Sequence, residues 1–319
     1  MTQFLRFSLG YFAFAIVITF SIRERALQTF SEVGRVLRDL TPLLLFWVFT
    51  LVCLGLLINA VFQNKAPRDT IADALFATAA TLLFQAGFIL VKTTLPFVIP
   101  FYADSAFAEL DKLLHMGLDP WILTHRFHDV LPVEWLAGIY MYGWLIPAIL
   151  LPVILATLDS DPKRVRRILL VYLSAWIVVG NILALAGMSA GPIFFERLHG
   201  SDHFSGLTAS MLPAGPNLQK ISNAQDFLWI AYEQMDQTKG PGISAFPSVH
   251  VSIATLAAIY LYERSRFLLP LALTGVAAIL FMSVYTGYHY AVDGYVSIAV
   301  VIGVWIFLRR RDLKSTECA

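Results

Sequence analysis

Charged residues are missing from long stretches of this chain. Residues 42–62, 135–158, 168–195, 244–262 and 267–288 hold no Asp, Glu, Lys or Arg, and 71–91 and 290–308 hold one acid each, Asp73 and Asp293. About 20 apolar residues in a helix cross the hydrocarbon core of a bilayer. Backbone N–H and C=O groups in lipid must be satisfied within the segment, so each stretch is predicted to be a transmembrane helix. A shorter run, 8–22, reads as a retained helix, since no small-x-small cleavage site precedes Arg23. The pattern therefore predicts an all-α fold, a polytopic integral membrane helix bundle of about eight transmembrane helices.

Composition points the same way. The chain of 319 residues is 58% apolar and 14% charged, whereas soluble domains carry about 25% charged residues. A net charge of +1 gives no reason to expect a nucleic-acid partner. Cys53 lies in an apolar run and Cys318 in the tail, so no disulfide framework is implied.

Basic residues orient the spans. Lys163, Arg164, Arg166 and Arg167, then Arg264 and Arg266, then Arg309, Arg310, Arg311 and Lys314 fall on one side by helix counting, which should be the cytoplasm. The long loop 196–243 falls on the other side with only Arg197, Lys220 and Lys239. Segment 23–39 disagrees, because it carries Arg23, Arg25, Arg35 and Arg38 yet is counted outside. It reads either as an interfacial helix or as a sign that the N-terminal count is off by one.

Candidate chemistry lies at the non-cytoplasmic ends of the last spans. "GISAFPSVHVS", residues 242–252, brings His250 to the start of the sixth span, and "VYTGYHYAVDGY", residues 284–295, brings His289 to the start of the eighth. Two helices of about 20 residues, each about 30 Å long, return the second histidine to the level of the first. Asp293 follows His289 by four residues, which places carboxylate and imidazole on one helix face. A carboxylate there can hold Nδ1–H and leave Nε2 as a directed nucleophile or base. Taken singly, each group has a plainer reading: an interfacial histidine snorkels or caps, Ser244 or Ser248 caps a helix started by Pro247, and Tyr285 with its neighbours forms an aromatic belt. Two histidines and an acid converging at membrane depth favour catalysis.

"AFPSVH", residues 245–250, with "YTGYHYAVD", residues 285–293, resembles the type 2 phosphatidic acid phosphatase superfamily, whose pattern is Pro-Ser-x-His followed by His-x-x-x-Asp. "SAGPIFF", residues 189–195 and including Gly191 and Pro192, resembles a stretch of the inositol phosphorylceramide synthase-like branch. "DSAFAELDKLLHMGLDPW", residues 104–121, is similar to a segment preceding the core in bacterial members. The resemblance is good over about 168–308. It implies residues 1–70 as N-terminal membrane helices and 71–319 as a phosphatase-type catalytic domain with a six-helix core.

Carried over by position, the resemblance implies that His289 takes the phosphoryl group as a phosphohistidine and that Asp293 orients it. His250 would protonate the leaving oxygen and then activate the acceptor, and Ser248 would contact a phosphate oxygen. Phosphoryl transfer is mostly positioning and charge stabilisation, so no metal and no cofactor is expected. Two features of the wider superfamily are absent: no Lys-x6-Arg-Pro motif occurs, and Ser283 stands where an arginine precedes the nucleophile by six residues. Phosphate still needs cationic partners. Lys239 and Arg197 are the nearest candidates in sequence, with His125, Arg126 and His128 in an outer loop, and Tyr285 joins Gly191 and Pro192 on the substrate side. The expected partners are the membrane and a lipid phosphate substrate, in a bacterial-type inner membrane with the site facing away from the cytoplasm. Three functions stay open: a lipid phosphotransferase, a lipid phosphate or polyprenyl diphosphate phosphatase, and a non-enzymatic membrane protein with a vestigial site.

Overall fold

The computed structural model describes residues 1–62, 67–211, 215–233 and 242–317. Every regular element among them is helical, and the protein is a polytopic membrane helix bundle. In chain order the elements are α1 Thr2–Ile22, α2 Ala26–Phe62, α3 Pro67–Val98, α4 Asp104–Leu114, α5 Pro120–His125, α6 Val133–Leu158 and α7 Pro162–Ala186. After these come α8 Pro192–His199, α9 Ser205–Ser210, α10 Pro216–Glu233, α11 Val249–Arg264, α12 Leu269–Tyr285 and α13 Ala291–Glu317.

Seven of these helices are long and apolar enough to span: α1, α2, α3, α6, α7, α12 with its leading turn, and α13. The sixth expected span, the remaining one, is shorter than the apolar run suggested. α11 has 16 residues, about 24 Å, because residues 244–248 stay irregular and Ser248 forms the N-cap. The run 168–195 is likewise not one helix. It stops at Ala186 and restarts at Pro192, because Gly191 has a φ of +103° and Pro192 offers no N–H to continue a helix.

α1 and α3 run in the same direction. Tyr11 packs on Phe84 with ring centroids 5.1 Å apart, and Arg23, at the far end of α1, donates to the Thr93 carbonyl at 3.2 Å and lies over the Phe97 ring. That shared direction is what alternating spans require. Residues 26–40 form no separate interfacial helix: they are the first turns of α2, whose 37 residues reach about 55 Å.

One core cluster joins α1, α3, α6, α7, α11 and α13 through residues such as Phe84, Leu155, Tyr172, Trp176 and Leu256. Buried polar groups are paired across it: Gln85 donates to the Tyr172 hydroxyl at 2.9 Å, which donates to the Ala148 carbonyl at 2.7 Å. At the basic end, Arg167 holds Glu263 at 2.7 Å and also Asp312, while Arg164 holds Asp159 at 2.6 Å, so α7, α11 and α13 are tied by charge. A second cluster, with Tyr140, Phe194, Leu207, Val251, Met282 and Tyr285, closes the opposite end, where the histidines lie.

Candidate active site

His289 sits in the turn 286–290 between α12 and α13. Gly287 makes that turn with a φ of +68°, and the His289 amide donates to the Ser283 carbonyl at 3.2 Å. The ring is buried. Its Nδ1 lies 2.8 Å from the Ala245 carbonyl oxygen and 3.3 Å from Oδ2 of Asp293. Both neighbours are acceptors, so Nδ1 carries the proton and Nε2 carries the lone pair. The expected carboxylate is present, but the shorter bond goes to a backbone carbonyl. Asp293 is fully buried; its Oδ2 also accepts the Tyr290 amide at 3.0 Å, and its Oδ1 has no partner among the described residues.

His250 opens α11 beside it, with the two imidazole rings 6.0 Å apart at 65°. Trp144 at 4.2 Å and Tyr140 at 4.9 Å flank the His250 ring. Tyr140 lies in a π-helical turn of α6, Ile139–Gly143, and Trp144 caps that turn, a geometry frequent at functional sites.

Ser248 is buried, and its Oγ accepts the Val251 amide at 3.4 Å, the capping bond of α11. Its amide donates to the Asp293 carbonyl at 3.3 Å. The serine thus ties the first turns of α11 and α13 together.

Gly191 and Pro192 belong to the brace behind this pair. The Ser189 carbonyl accepts the Ala245 amide at 2.8 Å and the Ser189 hydroxyl accepts the Phe246 amide at 3.1 Å. A Cβ on Gly191 would lie 2.5 Å from the Tyr288 carbonyl oxygen, so only glycine fits. Pro192 starts α8, and Ile193 donates to the Gly287 carbonyl at 2.9 Å.

Two acids of α4 complete the brace. Asp104 accepts the Ala190 and Gly191 amides, each at 2.9 Å, and the Tyr290 hydroxyl, also at 2.9 Å. Asp111 accepts the Ala291 and Val292 amides at 2.7 and 2.9 Å and so caps α13 from another helix. Burial pushes both carboxyls up from the ordinary range, and the amides each receives pull back. Segment 104–121 stands out in the sequence, but no role for these acids does. Their seven-residue spacing on one helix is the signal that could have found them.

The other candidates are distributed differently. Arg197 pairs with Asp226 at 2.6 Å on the exposed surface and lies over Trp229, so its charge is already engaged away from the histidines. Tyr285 is buried, with its hydroxyl 2.6 Å from Nδ1 of His128 and its ring stacked on His125 at 4.0 Å. Burial lowers the His125 pKa. Lys239 lies outside the described residues. Lys92 of α3 went unnoticed in the sequence because it sits at the edge of an apolar run. It is buried, and its Nζ reaches the Ser244 carbonyl at 3.4 Å, one residue before the carbonyl that holds His289.

Among the described residues no group of three His, Cys, Asp or Glu is placed to hold a metal ion. A cavity of about 870 Å³ opens at the other end of the bundle, between Phe4, Asn59, Leu155, Arg166 and Leu169, away from this chemistry.

No curated protein and no solved structure matches the chain. A family model of the PAP2 superfamily matches residues 105–307, well over half of the chain and the whole of the histidine site. The helical membrane bundle, the paired histidines and this match agree, and the chain belongs to the PAP2 superfamily.

Proposed function

We propose that the protein is a lipid phosphotransferase of the inositol phosphorylceramide synthase-like branch, acting through a phosphohistidine on His289. The observation that carries this reading is the 2.8 Å contact from Nδ1 of His289 to the Ala245 carbonyl, which leaves Nε2 with its lone pair. Nε2 attacks phosphorus, the bond from phosphorus to the lipid oxygen breaks, and the His250 imidazolium gives its proton to that oxygen. Neutral His250 then takes a proton from an acceptor hydroxyl, whose oxygen attacks phosphorus and releases His289. Asp293 holds the imidazole through both steps. Ser248 keeps the mouth of α11 in place for a phosphate oxygen. Gly191, Pro192 and Tyr285 shape the substrate side, and residues 71–319 form the catalytic unit. The site faces away from the cytoplasm of a bacterial-type inner membrane, as the basic loops at the opposite end suggest.

The missing superfamily arginine at Ser283 favours this branch over the phosphatases, for which water would be the acceptor. Mass spectrometry of membrane lipids, with wild type and with His289→Ala, tests the reading. A new phospholipid made only by the wild type is expected. Free phosphate without a new lipid would indicate the phosphatase, and unchanged lipids would indicate a protein without catalysis.

A further inference from the structure

Lys92 is one of two buried lysine or arginine side chains among the described residues, with Arg23. Arg23 is engaged by the Thr93 carbonyl and the Phe97 ring. Lys92 has a single hydrogen bond among the described residues, the long one to the Ser244 carbonyl at 3.4 Å. An ammonium has three donors, and one at membrane depth is costly unless it has partners or a task.

Its place in the fold is specific. α3 delivers it to the backbone of residues 242–245: a Cβ on Gly242 would lie 2.8 Å from the Lys92 carbonyl oxygen, so this segment packs directly on α3. Ser244, its acceptor, is followed by Ala245, whose carbonyl holds His289. Lys92 is close enough to interact electrostatically with His250, His289 and Asp293 alike. Other cations among the described residues are engaged elsewhere. Arg197 is paired on the surface, and Arg164 and Arg167 are paired at the far end of α7.

We propose that the Lys92 ammonium is the charge that binds the substrate phosphate oxygens in this site, replacing the basic residues that the sequence lacks around the histidines. The inference rests on the phosphotransfer reading above and adds the residue that recognises the anion. A lysine suits the position: its charge is compact and its four-carbon stem lets the head group swing from a weakly held carbonyl to an arriving phosphate. The purely structural alternative is that Lys92 only balances the Asp293 carboxylate.

Binding without turnover separates the two. The full chain carrying His289→Ala, in detergent micelles, is titrated with dioctanoyl phosphatidic acid and with uncharged dioctanoylglycerol, following tryptophan fluorescence, to which Trp144 beside His250 contributes. Adding Lys92→Met is expected to weaken phosphatidic acid binding by about 10- to 100-fold, the worth of a charge-assisted bond, and to leave dioctanoylglycerol binding unchanged. Lys92→Arg should recover most of the loss. Equal weakening of both lipids, or no weakening of either, would overturn the proposal, as would Lys92→Arg behaving like Lys92→Met while melting at the wild-type temperature. The lipid analysis tests the phosphotransfer reading separately: a wild-type protein without turnover that binds phosphatidic acid through Lys92 would sink that reading and leave the binding role intact.

Discussion

The hydroxyl of Tyr290 donates to Oδ1 of Asp104 at 2.9 Å, joining a short outer helix to the residue that follows the candidate nucleophile. Asp104 accepts the Ala190 and Gly191 amides as well, so one carboxylate fixes both the loop before α8 and the start of α13. Tyr290→Phe removes one bond and should cost about 1 kcal/mol. Asp104→Asn keeps the shape but turns a donor toward amides that need an acceptor, and should cost about 1–3 kcal/mol. Melting of the detergent-solubilised protein checks the order, Asp104→Asn below Tyr290→Phe below wild type. For a positioning role, kcat should fall with little change in KM in the surviving fraction. A melting temperature unchanged in Asp104→Asn would show that the brace is dispensable.

The two histidines should separate by leaving group. His289 attacks phosphorus and is required with every substrate. His250 delivers a proton to a poor leaving alkoxide, a contribution of about 10²–10⁴-fold, and an activated aryl phosphate leaves with little protonation. His250→Ala is therefore expected to lose far less on an aryl phosphate than on a lipid phosphate, and His289→Ala to be inactive on both. Equal losses for His250→Ala would point instead to a phosphate-anchoring role.

Sidedness follows from the basic ends of α7, α11 and α13. In a chain whose native cysteines are replaced, a cysteine at the exposed position Asp202 should react with an impermeant thiol reagent from outside intact spheroplasts, and one at the exposed position Lys163 only after lysis. The reverse pattern would turn the site toward the cytoplasm.

The fold class and the His289 and Asp293 pair were legible in the sequence because both are local properties. Span length depends on a continuous apolar run, and four residues of chain keep imidazole and carboxylate close, although His289 lies in the turn before α13 and not, as the spacing predicted, on one helix with Asp293. Even there the chain ends elements more finely than hydropathy does: the run 168–195 breaks at 187–191 because a glycine with positive φ and a proline follow Ala186. The partners of those residues were not legible. The carbonyl that holds His289 comes from 44 residues earlier and the acid that holds Tyr290 from 186 residues earlier. A backbone carbonyl has no sequence signature, and a lone acid or lysine beside an apolar run reads as an interfacial anchor. Only helix packing decides that Arg197 spends its charge on Asp226, that Lys92 meets the backbone beside the histidines, and that Asp111 caps α13. Buried polar groups must find partners wherever the packed bundle places them, so composition and spacing determined the helices and the motif, and tertiary contact decided which atoms face it.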